Sequence, residues 1–203
     1  TTTATNISED ASSPDLTYRS KAVTFLDEVN KDFHIASADT NAKNTGTDLS
    51  AQFPDDIEDI NRGTGAGVWD IGASEFGKAW DGGGADTNWT TALNWSGDTV
   101  PTTSDVVIFN ATSVKNCVIG ADPSAKSINI LPGYTGTVST SGIRSIASPI
   151  VVQAGSLTFG GNTTLSGSFT QLAGTVTLPA GTVTTNSNWT YTAGTLDPGT
   201  GTV

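Results

Sequence analysis

Along the last third of the chain, short runs of alternating apolar and polar residues return at a fixed interval. Four of them open on glycine: Gly136-Thr-Val-Ser-Thr140, Gly155-Ser-Leu-Thr-Phe159, Gly174-Thr-Val-Thr-Leu178 and Gly194-Thr-Leu-Asp-Pro198. Successive glycines lie 19, 19 and 20 residues apart. Five residues before each stands an apolar residue, Leu131, Ile150, Phe169 or Trp189. Each period therefore predicts one strand running into the glycine and another running out of it. The interval is far too long for a heptad and suits one rung of a solenoid, whose repeats bury their apolar sides against one another. The predicted class is all-β, a parallel β-solenoid with rungs of 19–20 residues.

Upstream the pattern is less regular. Residues 1–20 are polar and turn-rich, Ala22–Leu26 and Asp32–Ile35 read as short strands, and 36–50 are small and polar with turns at Gly46 and Asp48. A single weak helical turn is expected near Thr40–Asn44. Phe53–Arg62 is the most charged stretch and is followed, after a Gly-rich turn, by Val68–Phe76. Past Lys78 the strands expected before the glycine ladder are Asp105–Phe109, Cys117–Ile119 and Ser127–Leu131.

Composition fits a narrow core. Hydrophobic residues make up 35% of the 203, and 23 glycines with abundant Thr, Ser and Asn disfavour helices. A solenoid needs one or two inward apolar side chains per strand and leaves the other positions to water. The net charge of −11, with nine Lys and Arg in all, argues against nucleic acid as a partner. The longest apolar runs are too short for a transmembrane helix, so no membrane insertion is expected. Cys117 is the sole cysteine; it can form no intrachain disulfide and, beside Val118 and Ile119, reads as a small buried hydrophobe. The opening residues do not resemble a signal peptide, and with no initiator Met and an end inside a repeat the chain is expected to be a section of a longer protein.

Two resemblances sharpen this. Asp32-Phe-His-Ile35, Gly46-Thr-Asp-Leu49, Asp56-Ile-Glu-Asp-Ile-Asn-Arg62 and Asp70-Ile-Gly-Ala-Ser-Glu75 resemble the closing segment of exported right-handed parallel β-helix proteins, the choice-of-anchor Q group. The likeness covers about residues 20–76, with Asp59 where the group usually has Gly and Gly63 where it has Pro. It implies an end cap over the last rungs, with Arg62, Asp70 and Glu75 as structural cap residues. The segment Trp80-Asp-Gly-Gly-Gly84, Asn88-Trp89, Asn94-Trp95 and Val100-Pro101 resembles the opening of the β-solenoids of large exported and autotransporter-like bacterial proteins, over most of 79–203. The expected division is thus 1–77, terminal rungs and cap of a first β-helix, and 78–203, Trp-rich opening cap and first rungs of a second.

Candidate chemistry is sparse. Asp55, Asp56, Glu58 and Asp59 are the metal candidates, since calcium takes several carboxylate and carbonyl oxygens from one loop, although the spacing is not that of an EF-hand. The same carboxylates could instead pair with Arg62 to hold the cap, or stand in water. No cofactor is expected beyond this structural calcium. Trp80, Trp89 and Trp95 read as a lid over the first rung, with sugar stacking as the other reading. Trp69 and Trp189 are expected to pack within their own solenoids. A β-helix glycosidase needs two carboxylates about 5–10 Å apart, whereas 127–203 holds Arg144 and Asp197 as its charged residues. His34, the lone histidine, reads as an ordinary packed or surface residue. Sequons occur at Asn6, Asn88, Asn94, Asn110, Asn162 and Asn188, where Asn also suits turns.

The expectation is a non-enzymatic section of a large extracellular bacterial surface protein: stalk, adhesin or surface-layer material. Its expected partners are other copies or further segments of the same protein, and cell-surface glycans. The alternatives are the end piece of a β-helix carbohydrate-active enzyme and a carbohydrate- or calcium-binding module.

Overall fold

The structure, a computed structural model, describes residues 4–5, 22–27, 32–36, 39–47, 49, 52, 56–57, 69–142 and 144–200. It divides into two compact units, Thr1–Phe76 and Gly77–Val203.

In the first unit β1 (Ala4–Thr5) pairs antiparallel with β2 (Ala22–Val23), and β3 (Phe25–Asp27) pairs antiparallel with β4 (Asp32–Ile35). The run expected as one strand over Ala22–Leu26 is thus broken at Thr24, whose N–H turns aside to the Asp39 carboxylate at 2.7 Å. Among the described residues of this unit no strand pairs in parallel, so the rungs expected there are not seen. Instead of a helical turn near Thr40–Asn44 there is a side-chain-capped turn: Asp39 Oδ1 accepts from the backbone N–H of Asn41, Ala42 and Lys43, and Asn44 takes a positive φ of 54°. Its described core is small, with Val23, Ile35 and Ala42 buried and Phe25 and Ile71 packed against them.

The second unit is the solenoid. Its strands are β5 (Gly77–Ala79), β6 (Val106–Phe109), β7 (Cys117–Ile119), β8 (Ser127–Ile130), β9 (Thr137–Thr140), β10 (Arg144–Ile146), β11 (Ile150–Val152), β12 (Ser156–Thr158), β13 (Thr163–Leu165), β14 (Phe169–Gln171), β15 (Thr175–Thr177), β16 (Val183–Thr185), β17 (Trp189–Tyr191) and β18 (Thr195–Asp197). They form three parallel sheets in the orders β5-β6-β8-β11-β14-β17, β7-β9-β12-β15-β18 and β10-β13-β16. One circuit visits all three in turn, and the stack holds about five circuits. Because β5 begins at Gly77 and pairs with β6, the unit starts one residue before the expected boundary.

The sequence reading of two strands per period misses the third sheet. β10, β13 and β16 are three residues each, and the Arg-Ser-Ile, Thr-Thr-Leu and Val-Thr-Thr strands are too short and too polar to show alternation. Their β-branched residues still favour extended backbone once a neighbouring coil supplies hydrogen bonds.

Register fixes the core. Val107, Ile128, Ile150, Phe169 and Trp189 stack in the first sheet, and Cys117, Val138, Leu157, Val176 and Leu196 in the second. Ile146 and Leu165 join them from the third, and the buried members form one continuous cluster with Phe109, Phe159 and the tryptophans of the first coil. Buried polar residues interrupt the column, Gln171 among them with Thr140 and Thr163. Fully buried in the column, Gln171 donates through Nε2 to the carbonyls of Gly174 at 3.3 Å and Thr195 at 2.9 Å, tying two coils together.

The glycine ladder marks the corner between the first and second sheets. Gly155, Gly174 and Gly194 have φ of 56°, 72° and 101°, whereas Gly136 lacks a positive φ. A side chain at Gly174 would place its Cβ 2.6 Å from the Ala154 carbonyl oxygen, and one at Gly194 would meet the Gly174 oxygen at 2.5 Å. Glycine is required here on both counts, left-handed backbone and a carbonyl packed directly beneath.

Candidate functional site

The residues that carried the sequence argument cluster at the first coil and in two carboxylate turns. At the first coil, Trp80 and Trp95 are fully buried and Trp89 nearly so. Trp95 stands edge-on to both others, with ring centroids 5.0 Å from Trp80 and 4.7 Å from Trp89, and all three lie against Phe109. Tyr134 joins from the next coil, its ring 5.3 Å from Phe109. Rings enclosed in this way present no face on which a sugar could stack.

The polar edges of the cluster are satisfied locally. Trp95 Nε1 donates to the Trp89 carbonyl at 2.6 Å, while Trp80 Nε1 and Tyr134 Oη both donate to the Lys115 carbonyl at 2.9 Å. Burial, and next the neighbouring Cys117, pushes the Tyr134 phenol well above its ordinary range. Burial likewise pushes the Cys117 thiol up, which leaves it without thiolate character. Lys115 turns its ammonium back onto the carbonyls of Gly82 and Gly84 and the Asn94 side chain. No signal in the sequence marked Lys115 as part of this assembly.

The loop between the first two tryptophans is organised by Asp86. Its carboxylate accepts from Asn88 N and Nδ2, Thr91 Oγ1 and Asn94 Nδ2, all between 2.9 and 3.0 Å. The Asn88 backbone N–H leads in holding this carboxyl below its ordinary value, followed by the Thr91 hydroxyl. Asn94 is fully buried and spends both ends of its amide inside the loop, so this sequon is closed to a glycan.

In the first unit Asp56, Asp70 and Glu75 are buried and linked through backbone amides. Asp56 Oδ2 accepts from Glu75 N–H at 2.8 Å, and Glu75 Oε2 from Asp70 N–H at 3.1 Å. Asp70 itself accepts from Asn44 N–H at 2.6 Å and from Phe76 N–H. The phrase Asp70-Ile-Gly-Ala-Ser-Glu75 is therefore a self-closing turn in which carboxylates replace missing backbone partners. Lys43 sits over the Phe76 ring, 3.8 Å from its centroid. Trp69 is buried and bonds through its carbonyl to Gly46 N–H at 2.7 Å. At Asp39 burial works against the charge, but the N–H groups of Ala42, Thr24, Asn41 and Lys43 together bring the carboxyl below its ordinary value.

Of the four calcium candidates Asp56 alone is described; Asp55, Glu58, Asp59 and the expected partner Arg62 lie outside the described residues. Among the described residues no group of three His, Cys, Asp or Glu side chains could hold a metal ion. His34 lies within β4. On the coil stack Arg144 donates to the carbonyls of Ile119 at 3.3 Å and Gly120 at 2.6 Å, beneath β10 where the first coil has no strand of the third sheet. Asp197 stands exposed in β18, its Oδ1 accepting from Gly199 N–H at 2.9 Å. The structure thus keeps the charged residues of the repeats apart. No described helix is long and apolar enough to cross a membrane. No family model, no curated protein and no solved structure matches the chain significantly.

Proposed function

We propose that the chain is a non-enzymatic structural or adhesive section of a large extracellular bacterial surface protein, serving as stalk, adhesin or surface-layer material. One observation carries this reading. Between residues 127 and 196 Arg144 is the sole charged side chain, and its guanidinium is spent on the carbonyls of the coil below. Acid–base hydrolysis of a glycan needs two carboxylates held about 5–10 Å apart, and the repeats offer no such pair. What the coils do supply is length and stiffness: each circuit adds about 4.8 Å through backbone hydrogen bonds. On this reading the partners are other copies or further segments of the same protein and glycans of a neighbouring surface.

The test is release of reducing ends from a panel of bacterial and plant polysaccharides incubated with the 203-residue chain, alongside retention on the same glycans in immobilised form. Binding or no binding without cleavage is expected. Reproducible cleavage of any glycan overturns the proposal and favours the end piece of a carbohydrate-active enzyme.

A further inference from the structure

The outward side of the second sheet carries a regular grid of hydroxyl groups. In β9, β12 and β15, Val138, Leu157 and Val176 point inward and belong to the core cluster. Side chains alternate along a strand, so the residues flanking each of these point outward. They are Thr137 and Ser139, Ser156 and Thr158, and Thr175 and Thr177, each of them partly exposed. Pairing without a bulge sets them in two columns along the stack. Thr137, Ser156 and Thr175 form one, and Ser139, Thr158 and Thr177 form the other.

The protein makes little use of these hydroxyls itself. Ser139 Oγ makes one long bond, 3.4 Å, to the Cys117 carbonyl, and the other five side chains have no hydrogen-bond partner among the described residues. Hydroxyls elsewhere on the stack behave differently: those of Ser148, Thr163 and Thr185 donate to backbone carbonyls at 2.6, 3.0 and 2.6 Å. No charged or aromatic side chain stands among the six, which removes the usual means of holding a phosphate or stacking a sugar.

What remains is a lattice. Neighbouring strands lie about 4.8 Å apart, and residues two apart on one strand about 6.6 Å apart. Both repeats are near those of the oxygen lattice exposed on a prism face of ice. A hydroxyl can donate and accept at each lattice point, while the threonine methyls offer the water between them no competing partner. Branching at Cβ restricts the threonine side chains, so little rotamer freedom is lost on contact.

We infer that this face binds ice, its two columns ordering a layer of water that joins the crystal. Thr195 stands in register with the first column in the last coil, and Asp197 with the second. Ice binding stands apart from the structural role proposed above, since it needs neither a glycan nor another copy of the chain.

The experiment follows the shape of a single ice crystal held just below its melting point, and the coarsening of polycrystalline ice, in solutions of the 203-residue chain. Thr158→Lys and Thr175→Lys place a charge on the grid, and Thr164→Lys places one on the third sheet as a control. Circular dichroism of each variant is checked first. The unaltered chain and Thr164→Lys are expected to facet the crystal and slow coarsening. Either grid variant should raise the concentration needed at least tenfold. Rounded crystals and unslowed coarsening with the unaltered chain at every concentration overturn the inference. So does a loss as large for Thr164→Lys as for the grid variants, or folded grid variants as active as the unaltered chain.

Discussion

The first coil of the stack and the coils inside it meet the same physical demand in different ways. A solenoid terminates in an apolar cross-section ringed by strand edges, and at the first coil both are closed from within the chain: three indoles fill the centre and Ser96 and the Asn88–Trp89 loop take the edges. Inside the stack the adjacent coils close both: strands pair in parallel on either side, and Phe169 lies between Phe159 and Trp189 with ring centroids 6.3 and 4.2 Å away. A first coil thus needs a lid of its own, whereas an inner coil needs only its neighbours. Each inner coil is held by its neighbours and by little else, so a residue's worth depends on how fully the adjacent coils enclose it.

Removing the lid should have the largest effect. Trp95→Ala leaves a cavity among Trp80, Trp89 and Phe109 and is expected to cost about 3–5 kcal/mol in urea unfolding, whereas Trp189→Ala, half-buried against Phe169 in the 203-residue chain, is expected to cost about 1 kcal/mol. Equal losses would show that the enclosed lid is worth no more than a half-buried ring. Next comes the corner: Gly174→Ala combines a left-handed φ with a Cβ 2.6 Å from the Ala154 oxygen and should cost about 2–3 kcal/mol. Gly97 has a similar φ of 75° but open space around it, so Gly97→Ala should cost about 1 kcal/mol. A midpoint shift of the same size for both would show that the carbonyl packing is unimportant.

Lys115→Met tests whether the lid is held by its polar anchor as well as its rings; about 1–2 kcal/mol is expected, because carbonyls of Gly82 and Gly84 lose a charged donor. The smallest effect lies outside the stack. The folded carboxyl of Asp39 is depressed, so its stabilisation is fully present above the ordinary value of 3.8 and is lost as pH falls through the folded value. Asp39→Asn should remove that part of the acid dependence in the first unit while leaving the unfolding of the coils unchanged. Tryptophan fluorescence against pH would show it, and an unaltered profile would count against the four N–H bonds.

Much of the coil stack was legible because its apolar residues and glycines recur in step. Ile150, Phe169 and Trp189 are register partners at the separations the sequence shows. The third sheet was hidden because its three-residue strands, Arg-Ser-Ile, Thr-Thr-Leu and Val-Thr-Thr, are too short to carry a periodicity of their own; what selects them is the coil above and below. The inward role of Gln171 was equally invisible, since its partners are backbone carbonyls in two coils. In the first unit the pattern misled for a different reason. Ala22–Leu26 reads as one strand, but Thr24 is captured by a carboxylate fifteen residues away, a contact no local propensity contains. The tryptophans were recognisable by their spacing, while Lys115, which anchors them from 35 residues beyond Trp80, was not.

The stacking of carbonyl on glycine at the corner also sets a grammar for how such a chain can change in length. An insertion of a few residues inside a coil would slide every later glycine off the carbonyl beneath it and turn inward residues outward. Loss or duplication of one whole circuit would preserve each of these contacts. The loop at Pro132–Gly136 shows where slack exists: the coils on either side of it are 22 residues apart in the first sheet, against 19 for the next pair, and Tyr134 packs the surplus into the core. Descent in this molecule is therefore expected to proceed by copying whole turns, with irregularity confined to corners that can fold their extra residues away.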